Sequence, residues 1–118
     1  MSQMQTSTRE KQREKNDYSE QYNVVMINDD FTTFEFVMKM LRTVFFKSIG
    51  EADRLTLKVH QEGRSVIGTY SYDIAVSKVN KAMGMARQEG FPFRLEVEPA
   101  GWKVKKHGMF YFYSYPLS

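Results

Sequence analysis

The sequence has no cysteine, and His60 and His107 are its only histidines among 118 residues. Without cysteine, a disulfide framework, a thiolate metal site and a cysteine nucleophile are all excluded. Two histidines are too few for a histidine-rich metal cluster. No apolar run approaches the roughly 18 residues of a membrane span, and the polar N-terminus does not resemble a secretory signal. We therefore expect a soluble, cytoplasmic, single-domain protein that needs no metal or other cofactor.

The net charge of +3 comes from the C-terminal end of the chain, at Lys103, Lys105 and Lys106. Residues 1–20 contain four basic and four acidic side chains, and residues 21–100 contain ten of each. Because the excess charge lies outside the middle of the chain, it does not indicate a nucleic-acid-binding face on the domain.

The pattern of apolar residues predicts six elements in the order βααβαβ. Capping boxes at Thr32–Glu35 and Ser48–Glu51 begin the first two helices, and Gly63 and Gly90 end the second and third. The predicted elements are a strand over 22–27, helices over 33–46 and 48–63, a strand over 64–70, a helix over 72–89 and a strand over 93–97. This order predicts an α+β fold in which three helices cover a small three-stranded antiparallel sheet.

The composition divides the chain into three parts. Residues 1–21 are polar and are predicted to form a flexible, disordered N-terminal arm, because they cannot bury enough apolar surface to offset their ordering entropy. Residues 22–100 form the predicted core domain. Residues 101–118 form a basic and aromatic tail of unknown role. Its lysines and aromatic rings suggest a nucleic-acid or membrane contact, but its β-prone window 109–115 favours packing on the domain or self-association.

Polar residues are concentrated in the turn between the first predicted strand and helix, which reads Asn28-Asp29-Asp30-Phe31-Thr32-Thr33. About thirty residues later, His60 lies in Leu57-Lys58-Val59-His60-Gln61-Glu62-Gly63. Taken singly, such residues have ordinary explanations. Adjacent aspartates before a helix most often cap it, and a lone helical histidine is more often structural than functional.

The conjunction of these motifs with Asp73-Ile74-Ala75 and Lys78 favours a functional interpretation. The segment Tyr22–Pro99 resembles the ClpS family, bacterial adaptors that bind destabilising N-terminal residues and hand those proteins to a Clp ATPase. The resemblance implies recognition of N-terminal Leu, Phe, Tyr or Trp through the free α-amino group and an apolar side-chain pocket. It also implies a partner, the N-terminal domain of a ClpA- or ClpC-type ATPase, and no catalytic activity.

The resemblance assigns roles to individual residues. Those that bind the amine and the peptide backbone are Asn28, Asp29, Asp30, Thr32 and His60. Those that form the side-chain pocket are Phe34, Val37, Thr56, Val59 and Phe93. Asp73 and Lys78, expected to form a charged pair, belong to the region that docks on the ATPase. The chain departs from the family at three of these positions, since Phe34 and Thr56 replace the usual Met and Phe93 replaces the usual Leu.

An α-ammonium offers three hydrogen-bond donors, so its recognition needs acceptors such as an amide oxygen, a carboxylate and a neutral imidazole. If neutral His60 is one of these acceptors, acidification should weaken binding. An enzymatic alternative would make His60 a general base oriented by Asp29 or Asp30. We disfavour it because the sequence shows no nucleophile, oxyanion donors or phosphate-binding loop to accompany such a base.

Overall fold

The computed structural model describes residues 18–105 and 111–113, which form four strands and three helices. In chain order they are β1 (Tyr18–Ile27), α1 (Phe34–Thr43), α2 (Ile49–Glu62), β2 (Arg64–Ser71), α3 (Tyr72–Glu89), β3 (Arg94–Lys105) and β4 (Tyr111–Tyr113). The predicted α+β class, the element order and the three helices are confirmed. No helix within these residues is both long and apolar enough to cross a membrane.

The strands form one antiparallel sheet in the order β2-β1-β3-β4. β1 is central, with Val25 opposite Val66 of β2 on one side and Glu96 of β3 on the other. Val24, Val25 and Met26 are completely buried. This burial explains why the strand is almost continuously apolar rather than alternating. The loop that follows β1 therefore starts at the end of a buried, central strand.

The helices bury their apolar stripes against the sheet in one continuous core. Core residues from the three helices include Phe36, Met40, Leu41, Ala52, Leu55, Val59, Ala75, Val79, Ala82 and Ala86. They pack with sheet residues such as Met26, Ile67 and Leu95. Packing of this kind fixes the position of α2 relative to the end of β1.

Ser48 and Gly63 cap α2 as predicted, although the Glu51 carboxylate binds Arg54 and does not complete a capping box, and the predicted N-cap of α1 is wrong. Ser48 Oγ accepts from Glu51 N at 3.2 Å, and Gly63, with φ 87°, ends α2 as predicted. In α1 the N-cap is Thr33, whose hydroxyl accepts from Phe36 N, whereas Thr32 makes hydrogen bonds to Asp29 instead. Only one of the two adjacent threonines can occupy the cap position, and Asp29 determines which.

The sheet extends beyond both predicted limits of the core. β1 begins at Tyr18 rather than at residue 22, and β3 continues to Lys105, past the predicted end of the core at residue 100. Backbone ladders need no apolar side chains, so the polar composition of these segments did not reveal them. β4, from the predicted tail, pairs with β3 and places Phe112 opposite Lys103. Residues 1–17 of the predicted arm, and 106–110 and 114–118 of the tail, lie outside the described residues.

Candidate functional site

A cavity of about 400 Å³ lies between the loop after β1, the start of α1 and one face of α2. Its lining is Asn28, Asp29, Asp30, Thr32, Phe34, Val37, Asp53, Thr56, Leu57, Val59 and His60. The structure therefore brings together all of the predicted amine- and backbone-binding residues and all of the predicted pocket residues except Phe93. The volume falls within the usual range for ligand-binding pockets, roughly 300–1,000 Å³.

Asp29 organises the loop from within. Its Oδ1 accepts from the backbone N–H groups of Phe31 (2.8 Å) and Thr32 (2.7 Å), and its Oδ2 accepts from the Thr32 hydroxyl (2.7 Å). Partial burial on its own would raise the pKa of Asp29, but the hydrogen bonds from Thr32 and Phe31 outweigh it and hold the pKa below its ordinary value. The carboxylate is therefore ionised at neutral pH, and it fixes the shape of the loop.

The loop is also attached to the far end of α2. Asn28 N donates to Gly63 O at 2.9 Å, directly after the last turn of α2. This bond ties Asn28 to the residue that follows the last turn of α2, the turn that carries His60, and both side chains line the cavity.

Three polar side chains at the cavity have no hydrogen-bond partner among the described residues: Asn28, Asp30 and His60. All three are exposed to solvent. They supply an amide oxygen, a carboxylate and an imidazole, which are acceptors suited to a cationic donor. Within residues 18–105 and 111–113, no group of three His, Asp or Glu side chains is placed to hold a metal ion.

Part of the cavity lining is apolar, at Phe34, Val37, Leu57 and Val59. Val37 and Val59 are about as buried as Thr56, each with 6–7% of its surface exposed. The Thr56 hydroxyl donates to Ala52 O at 2.7 Å within its own helix and lies 3.6 Å from Met38 Sδ. Because that hydroxyl is already satisfied, Thr56 acts as part of an apolar wall. Phe34 is 53% exposed at the mouth of the cavity.

Phe93, which the resemblance assigns to the pocket, is not among the residues that line the cavity. Its side chain is buried in the core, and its ring lies 5.7 Å from that of Phe36 in a T-shaped contact. Asp53 and Leu57 line the cavity but were missed by the sequence analysis. Their spacing from Thr56 and His60 places all four residues on one face of α2, and this signal would have found them.

The two residues predicted to dock on a partner lie on α3, outside the cavity. Asp73 is exposed in the first turn, and among the ion pairs of the described residues none joins it to Lys78. Lys78 Nζ instead donates to Val44 O at 2.8 Å and lies 4.8 Å from the centre of the Phe46 ring. The prediction that Asp73 and Lys78 form a charged pair is therefore wrong. Val44 is the C-cap of α1, where unpaired carbonyl groups attract a cation.

Known proteins are similar to this chain in both sequence and fold. The ClpS adaptor protein of Nautilia profundicola is 48% identical over 77 residues, which cover 65% of this chain and 79% of that protein. The ClpS adaptor protein of Desulforapulum autotrophicum is 41% identical over 91 residues, covering 77% of this chain and 88% of that protein.

A solved structure and a family profile point to the same family. The solved structure of Agrobacterium tumefaciens ClpS2 bound to L-phenylalaninamide matches with a TM-score of 0.67 and 33% identity, covering 69% of this chain and 98% of that one. The sequence profile of the family described as "ATP-dependent Clp protease adaptor protein ClpS" matches residues 17–96. The chain therefore belongs to the ClpS family of adaptor proteins of the ATP-dependent Clp protease.

Proposed function

We propose that this protein binds substrates that carry N-terminal Leu, Phe, Tyr or Trp and delivers them to a ClpA- or ClpC-type ATPase for degradation. One observation carries the proposal: in a single cavity, Asn28, Asp30 and His60, whose side chains have no hydrogen-bond partner in the described part of the chain, lie next to an apolar wall. A free N-terminal residue has the same two parts, a charged amine and a side chain.

The polar end of the cavity accounts for recognition of the amine. The α-ammonium donates to the oxygens of Asn28 and Asp30 and to a ring nitrogen of His60, while Asp29 holds the loop and adds negative charge. Hydrogen bonds to a charged group are stronger than those between neutral groups. Acetylation removes the charge and two of the donors, so it should abolish binding.

The apolar end accounts for selection of the side chain. Burial of a Leu- or Phe-sized side chain against Val37, Thr56 and Val59 contributes roughly 1.5–3 kcal/mol. The ligand of the similar Agrobacterium protein, L-phenylalaninamide, combines a free amine, an aromatic ring and a neutral amide in place of a carboxylate. That combination is the chemistry expected of a peptide N-terminus.

We propose that the surface around Asp73 and Lys78 contacts the ATPase when a substrate is delivered. The family is described as an adaptor of the protease, which agrees with a binding protein that performs no cleavage itself. Because Lys78 is held by Val44 and the Phe46 ring, it presents a fixed rather than a flexible cation. Loss of ATPase binding in Asp73→Ala, with peptide binding intact, would support this assignment, whereas unchanged ATPase binding would remove Asp73 from the docking surface.

The first test is fluorescence anisotropy with peptides that differ only at residue one: Phe, Leu, Trp, Tyr, Ile, Met and N-acetylated Phe. We expect binding of the free Phe, Leu, Trp and Tyr peptides and none of acetyl-Phe. His60→Ala should lose binding, while Gln61→Ala, an exposed neighbour that does not line the cavity, should keep it. If no free N-terminus bound, or if acetyl-Phe bound equally well, the proposal would fail.

A further inference from the structure

A shallow groove of about 540 Å³ lies on an exposed face of α3. Its lining consists of six residues of this helix: Asn80, Lys81, Gly84, Met85, Arg87 and Gln88. The cavity described above is lined by the loop after β1, α1 and α2, and shares no residue with this α3 groove. A ligand in the α3 groove would therefore leave the cavity free for a second ligand.

Gly84 lies at the centre of the α3 groove, in the interior of the helix. Asn80, Lys81, Arg87 and Gln88 lie three or four residues away, so they surround it on one helical face. Glycine at such a position lowers the folding equilibrium by about fivefold relative to alanine. Packing does not require it here, because in the described part of the chain an added Cβ would meet only Arg87 Nη2, at 3.8 Å. Its effect is to leave the helix backbone open to close approach by another molecule.

The α3 groove is positively charged. No acidic side chain lines it, and among the described residues neither the Lys81 ammonium nor the Arg87 guanidinium takes part in an ion pair. Glu89, the last residue of α3, is bound to Lys39 of α1 at 3.1 Å. Two cations without internal partners favour a ligand that carries carboxylates.

The spacing of the lining residues fits a helix as the ligand. Lys81, Gly84, Met85 and Gln88 occupy positions i, i+3, i+4 and i+7, the arrangement that receives one side chain of a facing helix. Glycine at one corner deepens this hole, and the half-buried Met85 supplies a flexible apolar wall. Lys81 and Arg87 are about 9 Å apart along the helix axis, close to the roughly 10 Å between residues seven apart on a facing helix.

We propose that the face of α3 centred on Gly84 binds an acidic helix of a protein partner, with an apolar side chain in the hole and carboxylates beside Lys81 and Arg87. A nucleic acid is a poorer match, because two cations are few for a phosphate backbone and it offers no side chain for the hole. The inference goes beyond the proposed function and does not depend on it, since the α3 groove and the cavity share no residue.

The test is an NMR titration of the full chain with an alanine-rich helical peptide, blocked at both ends, that carries a leucine between two glutamates seven residues apart. We expect amide shifts confined to residues 80–88, and weaker binding of a matched peptide with glutamine in place of glutamate. Lys81→Gln and Arg87→Gln should each weaken the glutamate peptide by about two- to fivefold. Arg42→Gln, which removes an exposed cation of α1 outside the α3 groove, should leave the affinity unchanged.

Gly84→Ala gives the sharpest result, because this variant should fold better and bind worse. The added methyl group raises the folding equilibrium by about fivefold, and it weakens the glutamate peptide by about fivefold or more because it fills the hole. Gly50→Ala is the matched control: it replaces a helix glycine of α2 where nothing lies within 4 Å of the added Cβ. It should keep the fold at least as stable and leave the peptide affinity unchanged.

Several results would overturn the proposal: unchanged affinity in Gly84→Ala, equal binding of the glutamate and glutamine peptides, or no shifts within residues 80–88. Shifts of the same amides with protein concentration alone would assign this face to a second copy of the chain. Tighter binding of single-stranded DNA at these amides would assign it to nucleic acid, and either result would refute a helical protein partner. The proposed function is tested separately, and a saturating Phe peptide in the cavity should leave the affinity for the glutamate peptide unchanged.

Discussion

The two walls of the cavity are built differently. The loop wall, residues 28–33, contributes little to the core and is held by hydrogen bonds to Asp29 and by the bond from Asn28 N to Gly63 O. The helix wall, on α2, is held by core packing of Ala52, Leu55 and Val59, so its exposed side chains are not needed for its shape. Substitutions in the loop wall are therefore expected to disrupt the cavity, whereas substitutions of exposed residues in the helix wall are expected to change its ligand preference.

The largest effect is expected from Asp29→Ala. The change leaves two backbone N–H groups and the Thr32 hydroxyl without their acceptor, so the loop loses its shape and peptide binding should fall more than tenfold. The expected loss of stability is about 1–2 kcal/mol, since the loop is partly open to water. Anisotropy and urea unfolding measure the two effects.

Asp30→Ala is the matched control, because Asp30 lines the same cavity without any hydrogen bond to the loop. It should reduce binding of the amine but leave the stability unchanged. If Asp29→Ala and Asp30→Ala destabilised the protein equally, the structural role of Asp29 would be wrong.

A smaller, selective effect is expected from Thr56→Met on the helix wall. The longer side chain fills part of the cavity, so the affinity for an N-terminal Trp peptide should fall by about fivefold or more relative to a Leu peptide. Leu57→Met introduces the same side chain at a 54% exposed position of the cavity lining with almost no change in volume, and should leave the Trp to Leu ratio unchanged. An unchanged ratio in Thr56→Met would show that Thr56 does not limit the depth of the pocket.

The smallest expected effect is on the pH dependence of stability, through Asp29 in the loop wall. Because the pKa of Asp29 is lower in the folded protein than its ordinary value of 3.8, the ionised carboxylate stabilises the fold above that value. This contribution is lost as the pH falls through the folded-state pKa. The difference in unfolding free energy between wild type and Asp29→Asn should therefore be constant near pH 7 and shrink below about pH 4. A difference that stayed constant down to pH 2 would contradict this assignment.

The sequence predicted the elements whose signals are local. Ser48 and Gly63 define α2 because capping depends on the residues at the helix ends, and the apolar run of β1 identifies a central strand. The N-cap of α1 was misplaced because two threonines compete for it, and the preference of Asp29 for Thr32 depends on the conformation of the loop.

Features that depend on long-range pairing were harder to predict. The extension of β1 to Tyr18 requires the distant β3 as its partner, and neither segment is apolar enough to indicate the ladder. Phe93 was assigned to the pocket from its position in the sequence, but its burial against Phe36 is a property of the packed core. Asp53 was missed because an exposed acidic residue on a helix usually has no role beyond solvation.

The bond between Asn28 N and Gly63 O joins main-chain atoms only, so among single substitutions at these two positions only proline at position 28, which lacks the N–H, would remove the donor. The separation between the loop and the end of α2 is therefore a constant of the scaffold, whereas the depth of the cavity, the width of its entrance and its charge vary with Thr56, Phe34 and Asp53. Under the proposed function, preference among substrates can therefore change one residue at a time while the position of the bound amine stays fixed.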